Sequence, residues 1–184
     1  MNVPRTEALI GKMGPISTIT CMSLAKTTDM EFAYVRLPTV SPVDLIAHMS
    51  DPRVAEHMPL LTSRWDEDTV ATFVAGKERY WHRDNLGHWA ILCNGRYVGW
   101  GGFQREGGEW DYALVLKPEF FGLGIQISRQ AMAFARADER IDYVTFLLAP
   151  TRKNLRALGR LGASFLGEVE YEGARFLKYV LRTT

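Results

Sequence analysis

The segment Leu116-Lys117-Pro118-Glu119-Phe120-Phe121-Gly122-Leu123-Gly124-Ile125-Gln126 joins an apolar strand to an amphipathic helix through two closely spaced glycines. Glycine lets backbone N–H groups approach an anion closely, and a helix N-terminus presents unpaired N–H groups and the positive end of its dipole. The pattern therefore indicates a phosphate cradle that suits a diphosphate. Taken alone, a glycine pair between a strand and a helix also fits a simple tight turn.

Three strands are predicted before this loop. They cover residues 88–93, 97–103 and 109–116, and turns at Asn94-Gly95 and Gly107-Gly108 separate them. Asn-Gly between two apolar runs is a strong hairpin signal. The three strands should therefore form an antiparallel meander that ends at the glycine loop.

A helix over residues 125–138 and a continuous apolar strand over 141–148 are predicted after the loop. Such a strand is usually buried on both faces, as when a crossover helix returns the chain to a parallel neighbour. A further helix over 150–161 should end at Gly162, and strands over 164–169 and 175–181 should follow.

The chain before the meander begins with residues 1–30, which show no sustained periodicity and are expected to be an N-terminal extension. A strand over 32–37 follows. Helices are then expected from Pro42 to His48, from Pro52 toward His57, and after an N-cap at Asp66. Residues 31–184 should form one domain of α+β class.

Composition limits the possible functions. The 184 residues are 47% hydrophobic and 23% charged with a formal net charge of +1, so no nucleic-acid or membrane partner is indicated. Neither a membrane-spanning run nor a secretory signal is apparent, so a cytoplasmic protein is expected. Cys21 and Cys93 are the only cysteines, and no disulfide framework or metal site is expected.

The order and spacing of several short segments carry a family resemblance. These segments are Tyr34-Val35-Arg36-Leu37, Asp51-Pro52-Arg53-Val54, Trp89-Ala90-Ile91, Tyr97-Val98-Gly99, the stretch from Asp111 to Gly124, and Arg160-Leu161-Gly162-Ala163. From about Glu31 to Arg182 the chain resembles the GNAT superfamily of acyl-CoA-dependent N-acyltransferases, most closely its RimJ/RimL-like branch. The resemblance implies a mixed, mostly antiparallel seven-stranded sheet, splayed at its middle and flanked by about four helices.

The resemblance also implies acetyl-CoA as the cosubstrate, inserted between strand 109–116 and strand 141–148. Backbone groups of Leu114, Val115 and Leu116 would pair with the pantetheine amides. The loop would hold the pyrophosphate through Phe121, Gly122, Leu123, Gly124, Ile125 and Gln126. Many superfamily members have Arg or Gln where Glu119 stands here. The RimJ/RimL-like branch tolerates acids at that position.

An amine that attacks a thioester must lose a proton, so a base or a water relay is required. Asp111 is the first candidate, because it lies where the branch often places a carboxylate on the same strand, and Glu109 is the second. His88 and His82 titrate near neutrality and are further candidates. A carboxylate in a strand is more often only solvated or hydrogen-bonded, and a lone histidine at the start of a strand or the end of a helix is more often a surface residue.

The departing thiolate needs a proton as well, and many superfamily members use a Tyr on the helix before Gly162. Leu158 occupies that position here. The family's upstream Asn and Ser align with Thr151 and Asn154, or with Asn154 and Ala157 in a second register. In both registers Asn154 is the expected contact to the CoA arm.

The acceptor is expected to be a primary amine, either a peptide N-terminus or a small amine, attracted by Glu106, Glu109 and Asp111. Its site is expected to use His88 and four aromatic residues, Trp81, Trp100, Phe103 and Tyr171, although such residues are more often core. The chain should be a monomer or a homodimer. The competing hypothesis is a catalytically weak or inactive CoA-binding module that acts as a sensor or partner-binding domain, and the missing Tyr leaves this alternative open. NAD or ATP binding is not indicated, because neither Gly-x-Gly-x-x-Gly nor Gly-Lys-Ser/Thr is present.

Overall fold

The computed structural model of the chain describes residues 30–61, 64–152 and 155–183. Within them, one sheet has the strand order β1-β2-β3-β4-β5-β7-β6. The strands are β1 (Phe32–Arg36), β2 (His88–Cys93), β3 (Arg96–Glu106), β4 (Glu109–Leu116), β5 (Tyr143–Leu148), β6 (Ser164–Tyr171) and β7 (Ala174–Arg182). The helices are α1 (Pro42–Met49), α2 (Pro52–Ala55), α3 (Glu67–Asp84), α4 (Gly124–Ala137) and α5 (Arg156–Leu161). Apart from Met30, the expected N-terminal extension lies outside the described residues.

Neighbouring strands are antiparallel except for β4 and β5, which run parallel and are connected through α4. This arrangement confirms the predicted mixed, mostly antiparallel seven-stranded sheet. The described residues contain five α-helices where about four were expected, and α2 amounts to a single turn.

Local sequence signals explain where several helices begin and end. The Asp51 carboxylate accepts from the Arg53 N–H at 2.9 Å, and Asp66 accepts from the Thr69 N–H at 2.9 Å, so each acid caps the helix that follows it. Gly162 ends α5 at φ 91°, a conformation that favours glycine. These caps sit where the sequence placed them.

Several predicted boundaries were displaced. β1 ends at Arg36 because a 3₁₀ turn at Leu37–Thr39 contains a proline, and a second 3₁₀ helix, Pro118–Leu123, precedes α4. β5 begins two residues later than predicted, at Tyr143. α5 begins at Arg156 instead of residue 150, and residues 149–152 belong to a connection after β5.

The two faces of the sheet carry different helices. On one face, residues of α1 and α3 pack against Ala90 and Trp100. On the other face, residues of α4 and α5 pack against Trp89, Phe103 and Tyr112. Because side chains alternate along a strand, residues 104 and 111 lie on the same face as Trp100, beneath α3.

The parallel strands β4 and β5 separate after a single pair of residues. β4 pairs with β3 along its full length, and β5 pairs with β7 along its full length, but β4 and β5 share the single register pair Asp111 and Thr145. Residues 112–116 of β4 and 146–148 of β5 therefore border a gap in the sheet, which we call the wedge. Asp111 and Thr145 lie at its apex.

Candidate functional site

Asp111 is a buried carboxylate at the apex of the wedge, with only 9% of its surface exposed. Thr145 on the facing strand donates a hydroxyl hydrogen bond to its Oδ1 at 3.4 Å. Burial disfavours the charged form and raises the pKa of Asp111 to about 7, although the Thr145 hydrogen bond and the nearby Lys77 and Lys178 charges lower it. A carboxyl group that is half ionised near neutral pH has the basicity that a general base needs.

A hydrogen-bonded chain of polar side chains lies beside Asp111 under α3. The Lys77 ammonium donates to Gln104 Oε1 at 2.8 Å, and Gln104 Nε2 donates to Glu106 Oε1 at 3.0 Å. The Tyr80 hydroxyl donates to the same carboxylate oxygen of Glu106. Gln104 is the β3 register partner of Asp111, which brings this chain next to the carboxylate.

The ammonium of Lys77 lies among aromatic rings, 5.3 Å from the ring centre of Trp100 and 5.7 Å from that of Phe73. Burial lowers the pKa of Lys77 to about 8, partly offset by the charges of Glu106 and Asp111. Lys77 therefore carries its charge at neutral pH inside a largely apolar setting. Cation–π contacts of this kind stabilise such a charge.

His88 is fully enclosed at the start of β2, with 1% of its surface exposed, and its ring lies 5.3 Å from that of Trp100. Both ring nitrogens lack a hydrogen-bond partner among the described residues. Burial, with the Lys77 charge adding to it, lowers the pKa of His88 well below its ordinary value. The imidazole is thus neutral and closed to solvent, which argues against the predicted role of His88 as a base. His82, the other histidine considered, is exposed on α3.

Glu109, the second predicted base, is more accessible than Asp111 but is already engaged. The Lys178 ammonium lies 2.5 Å from its Oε2, and the Tyr143 hydroxyl lies 3.5 Å from its Oε1. An ion-paired carboxylate is less accessible to a substrate amine than an unpaired one. The geometry therefore favours Asp111 over Glu109.

The backbone of β4 presents peptide groups to the wedge. A Cβ placed on Gly99 would lie 2.3 Å from Val115 O, and one on Gly101 would lie 2.5 Å from Ala113 O, so these carbonyls point toward β3. Successive peptide groups of a strand point to opposite sides, so those of Leu114 and Leu116 face the wedge. The Val115 carbonyl is turned toward β3, so of the three residues expected to pair with pantetheine only Leu114 and Leu116 face the wedge.

The glycines of the loop are open on their outer side. A Cβ on Gly122 would meet nothing within 4 Å, and one on Gly124 would meet only Leu116 Cδ1 at 3.8 Å. Gly124 has helical angles, φ −54° and ψ −43°, that any residue adopts. Neither packing nor backbone conformation therefore requires glycine here, and the lack of a side chain leaves room for a ligand to approach the backbone closely.

The loop also shows one departure from the predicted cradle. The N–H of Gly124 donates to Phe121 O in the 3₁₀ turn, so it is not free to bind an anion in this conformation. No side chain caps α4, and its first turn contains no acidic residue. The helix N-terminus at Ile125 and Gln126 therefore keeps its positive dipole end uncompensated by side chains. The Arg96 guanidinium, 5.7 Å from the ring centre of Phe120, adds positive charge nearby.

The segment after β5 is tied to the segment after α2. Thr151 donates its hydroxyl to Glu56 O at 3.0 Å and lies 3.2 Å from His57 Nδ1, so this hydroxyl is already engaged. Asn154, the predicted contact to the CoA arm, lies outside the described residues.

The four aromatic residues predicted for the acceptor site separate into two groups. Trp81, Trp100 and Phe103 are 8%, 3% and 0% exposed. Trp81 donates to His88 O at 2.9 Å, and Trp100 lies 3.3 Å from Met49 Sδ, so both are fixed in the core. Tyr171, at the end of β6, is half-buried. Burial raises its pKa, as do the nearby charges of Glu106, Glu172 and Asp111. Among these four aromatic residues, Tyr171 is thus the one that is both partly exposed and close to Asp111.

Lys77, Gln104 and Tyr80 were not predicted as site residues. The signal for Lys77 was present, because a lysine interrupts the apolar stripe formed by Val70, Phe73 and Val74 on α3. A lysine in such a stripe ordinarily extends its charged end into solvent. Only the fold shows that this one is held beneath the helix.

Known proteins support the fold and assign the family. The sequence model described as an acetyltransferase (GNAT) domain matches residues 34–164, so the chain belongs to the GNAT acetyltransferase family. A search of curated proteins finds no match.

Solved structures that resemble the chain share its fold at low sequence identity. A GNAT-family acetyltransferase from Bordetella pertussis has a TM-score of 0.65 and 17% identity, covering 84% of this chain and 96% of that one. A Salmonella typhimurium acetyltransferase that modifies the N-terminal serine of ribosomal protein L7/L12 has a TM-score of 0.64 and 17% identity, covering 85% and 96%. The aminoglycoside acetyltransferase AAC(6')-Ib, solved with coenzyme A, has a TM-score of 0.63 and 13% identity, covering 83% and 93%.

The described residues form neither a membrane-spanning helix nor a recognisable metal site. Among the described residues, no helix is both long and apolar enough to cross a membrane. The same part of the chain has no group of three or more His, Cys, Asp or Glu side chains arranged to hold a metal ion.

Proposed function

We propose that this GNAT protein transfers an acetyl group from acetyl-CoA to a primary amine, with Asp111 accepting the proton that the amine must lose. The observation that carries the proposal is a buried carboxylate of raised pKa at the apex of the wedge. The order of sequence landmarks favours the RimJ/RimL-like branch. We further propose a single catalytic domain over residues 31–184, a monomer or homodimer, and a cytoplasmic location.

The donor would occupy the wedge as an additional strand. The peptide groups of Leu114 and Leu116 face it and would pair with the pantetheine amides, because β5 pairs with neither of them. The pyrophosphate would lie against the open side of Gly122 and the N-terminus of α4 at Ile125 and Gln126. Phe121 and Leu123 belong to the same loop and contribute backbone. For the Gly124 N–H to join them, it must leave Phe121 O, so we expect the 3₁₀ turn to rearrange when the donor binds.

The chemistry follows from this placement. The amine nitrogen forms a bond to the thioester carbonyl carbon, and the carbon–sulfur bond then breaks to release the CoA thiolate. The ammonium gives one proton to the Asp111 carboxylate before or during attack, directly or through one water molecule, and the nitrogen gives its second proton to solvent as the amide forms. The leaving thiolate takes a proton from solvent. Leu158, at the position where many family members carry Tyr, has no hydroxyl to supply one.

The acceptor would approach from the α3 face. The carboxylates of Glu106 and Asp111 and the half-buried ring of Tyr171 form an environment that attracts a protonated amine. Peptide N-termini and small amines both satisfy this chemistry. The Lys77 charge and the aromatic rings around it favour a single ammonium at the site over a polycation.

The proposal is tested by measuring CoA thiol release from acetyl-CoA at pH 8 with a panel of N-terminal peptides and small primary amines. Mass spectrometry should find one added acetyl group on the amine that is turned over. The Asp111→Asn variant is the matched control, because it keeps the shape of the side chain and removes its basicity. Acetyl-CoA binding without turnover of any amine would favour the binding-module alternative.

A further inference from the structure

We infer that Lys77 is a positioning residue whose half-buried charge keeps Asp111 ionised enough to act as the proton acceptor near neutral pH. This inference rests on the proposed role of Asp111. Lys77 itself touches neither donor nor acceptor in the proposed arrangement, so it acts through its neighbours. It belongs to α3, whereas Asp111 belongs to the sheet beneath.

The position of Lys77 is fixed by several contacts at once. Its ammonium donates to Gln104 Oε1 at 2.8 Å and lies between the rings of Trp100, Phe73 and Tyr80, at 5.3, 5.7 and 6.0 Å from their centres. A lysine that only served packing would leave its charge in water. Here the charge is turned inward, although no carboxylate of the described residues forms an ion pair with it.

The Lys77 ammonium lies close enough to Asp111, the proposed base, to influence its ionisation. Gln104, which holds the ammonium, is the β3 register partner of Asp111, and both side chains lie on the face beneath α3. In an environment of low dielectric, a positive charge a few ångströms away favours the ionised form of a carboxyl group. Lys77 therefore offsets part of the burial that raises the pKa of Asp111 to about 7.

The other charged or titratable groups that face Asp111 or Lys77 come from α3 and five strands. They are Tyr80 from α3, His88 from β2, Glu106 from β3, Glu109 from β4, Tyr171 from β6 and Lys178 from β7. Lys178 is neutralised by its ion pair with Glu109, and Glu106 acts against ionisation of Asp111. His88 is neutral. Lys77 is thus the main unpaired positive charge near Asp111 in the described part of the chain.

The direct test is to titrate the Asp111 carboxyl carbon by NMR in the full chain without substrates, comparing wild type with Lys77→Met. We expect the midpoint to rise by about one pH unit in the variant. Arg79→Met is the matched control, because Arg79 is an exposed cation two residues away on α3. It should leave the midpoint unchanged. Lys77→Gln, which keeps a polar group beside Gln104, should raise the midpoint as well and serves if Lys77→Met does not fold.

The kinetic counterpart is the pH profile of kcat/KM. At pH 7 the Lys77→Met value should be about fivefold below wild type. It should recover to within about twofold at pH 9, with an unchanged KM for acetyl-CoA. A purely structural role would instead lower the rate equally at every pH.

The outcomes separate the two proposals. An unchanged Asp111 midpoint in both neutral variants overturns the role of Lys77, whatever the activity. A raised midpoint together with full activity of Asp111→Asn would retain the coupling between the two residues and reject Asp111 as the base.

Discussion

Replacing Asp111 with Asn should make the protein more stable and less active at the same time. The folded chain holds the pKa of Asp111 at about 7, against an ordinary value of 3.8. Because the folded pKa is the higher one, this group stabilises the fold fully below about pH 4, and the contribution is lost as the pH rises to 7. Each pH unit corresponds to 1.36 kcal/mol, so ionising Asp111 costs the fold on the order of 4 kcal/mol above pH 7.

Asn cannot ionise, so the variant avoids this cost. We expect Asp111→Asn to unfold at the same temperature as wild type near pH 4. The unfolding temperature of the variant should increasingly exceed that of wild type from pH 4 to pH 7, and the difference should stay constant at higher pH. For a chain of this length the difference should reach several degrees and at most roughly 15 °C. Thermal unfolding followed by circular dichroism across this pH range provides the measurement.

The same variant should lose about 10²- to 10⁴-fold in kcat/KM at pH 8, which is the usual contribution of a general base. The wild-type kcat/KM should fall about tenfold for each pH unit below 7. The reasoning is refuted if the variant has the same unfolding temperature as wild type at pH 8. A stabilised variant with full turnover would confirm the pKa and reject the catalytic role.

Three further substitutions test other parts of the structure. Gly124→Val should raise the Kd for acetyl-CoA at least about tenfold, because the new side chain would project into the open side of the loop. Calorimetry provides the measurement, and Gly76→Val on α3 is the control. Equal affinities of these two variants for acetyl-CoA would reject the assignment of the pyrophosphate to the loop. Gly101→Ala should lower the free energy of unfolding, measured in urea, by about 1–3 kcal/mol, because its Cβ would lie 2.5 Å from Ala113 O. Gly122→Ala is the control and should leave the free energy of unfolding nearly unchanged, because its Cβ would meet nothing within 4 Å. His88→Phe should keep the wild-type pH profile of kcat/KM, because the imidazole is neutral and enclosed, and a loss of about 10²-fold or more would restore His88 as a candidate base.

The fold could be predicted from the sequence because its signals are local. The turn at Asn94-Gly95, the caps at Asp51 and Asp66, and the glycine loop each act through neighbouring residues. Together they fix the order of strands and helices. The start of α5 was predicted too early because Pro150 resembles a first-turn proline, and only the fold shows that residues 149–152 make a connection.

The site was predicted less completely, for a different physical reason. Asp111 could be singled out through the family resemblance, because related proteins often place a carboxylate on this strand, but its raised pKa depends on burial beneath α3. The inward direction of the Lys77 charge depends on Gln104, which lies 27 residues away in the chain. Trp81, Trp100 and Phe103 have the composition expected of a substrate site. Their burial is set by helices that pack from both faces of the sheet.

The most direct measurement is a crystal structure of the chain with CoA bound. The account predicts that the pantetheine amides pair with the peptide groups of Leu114 and Leu116 in the wedge, and that the pyrophosphate lies at the N-terminus of α4. The sulfur should lie toward the apex, near Asp111. CoA bound elsewhere, or a wedge closed by pairing of β4 with β5 beyond Asp111 and Thr145, would contradict it.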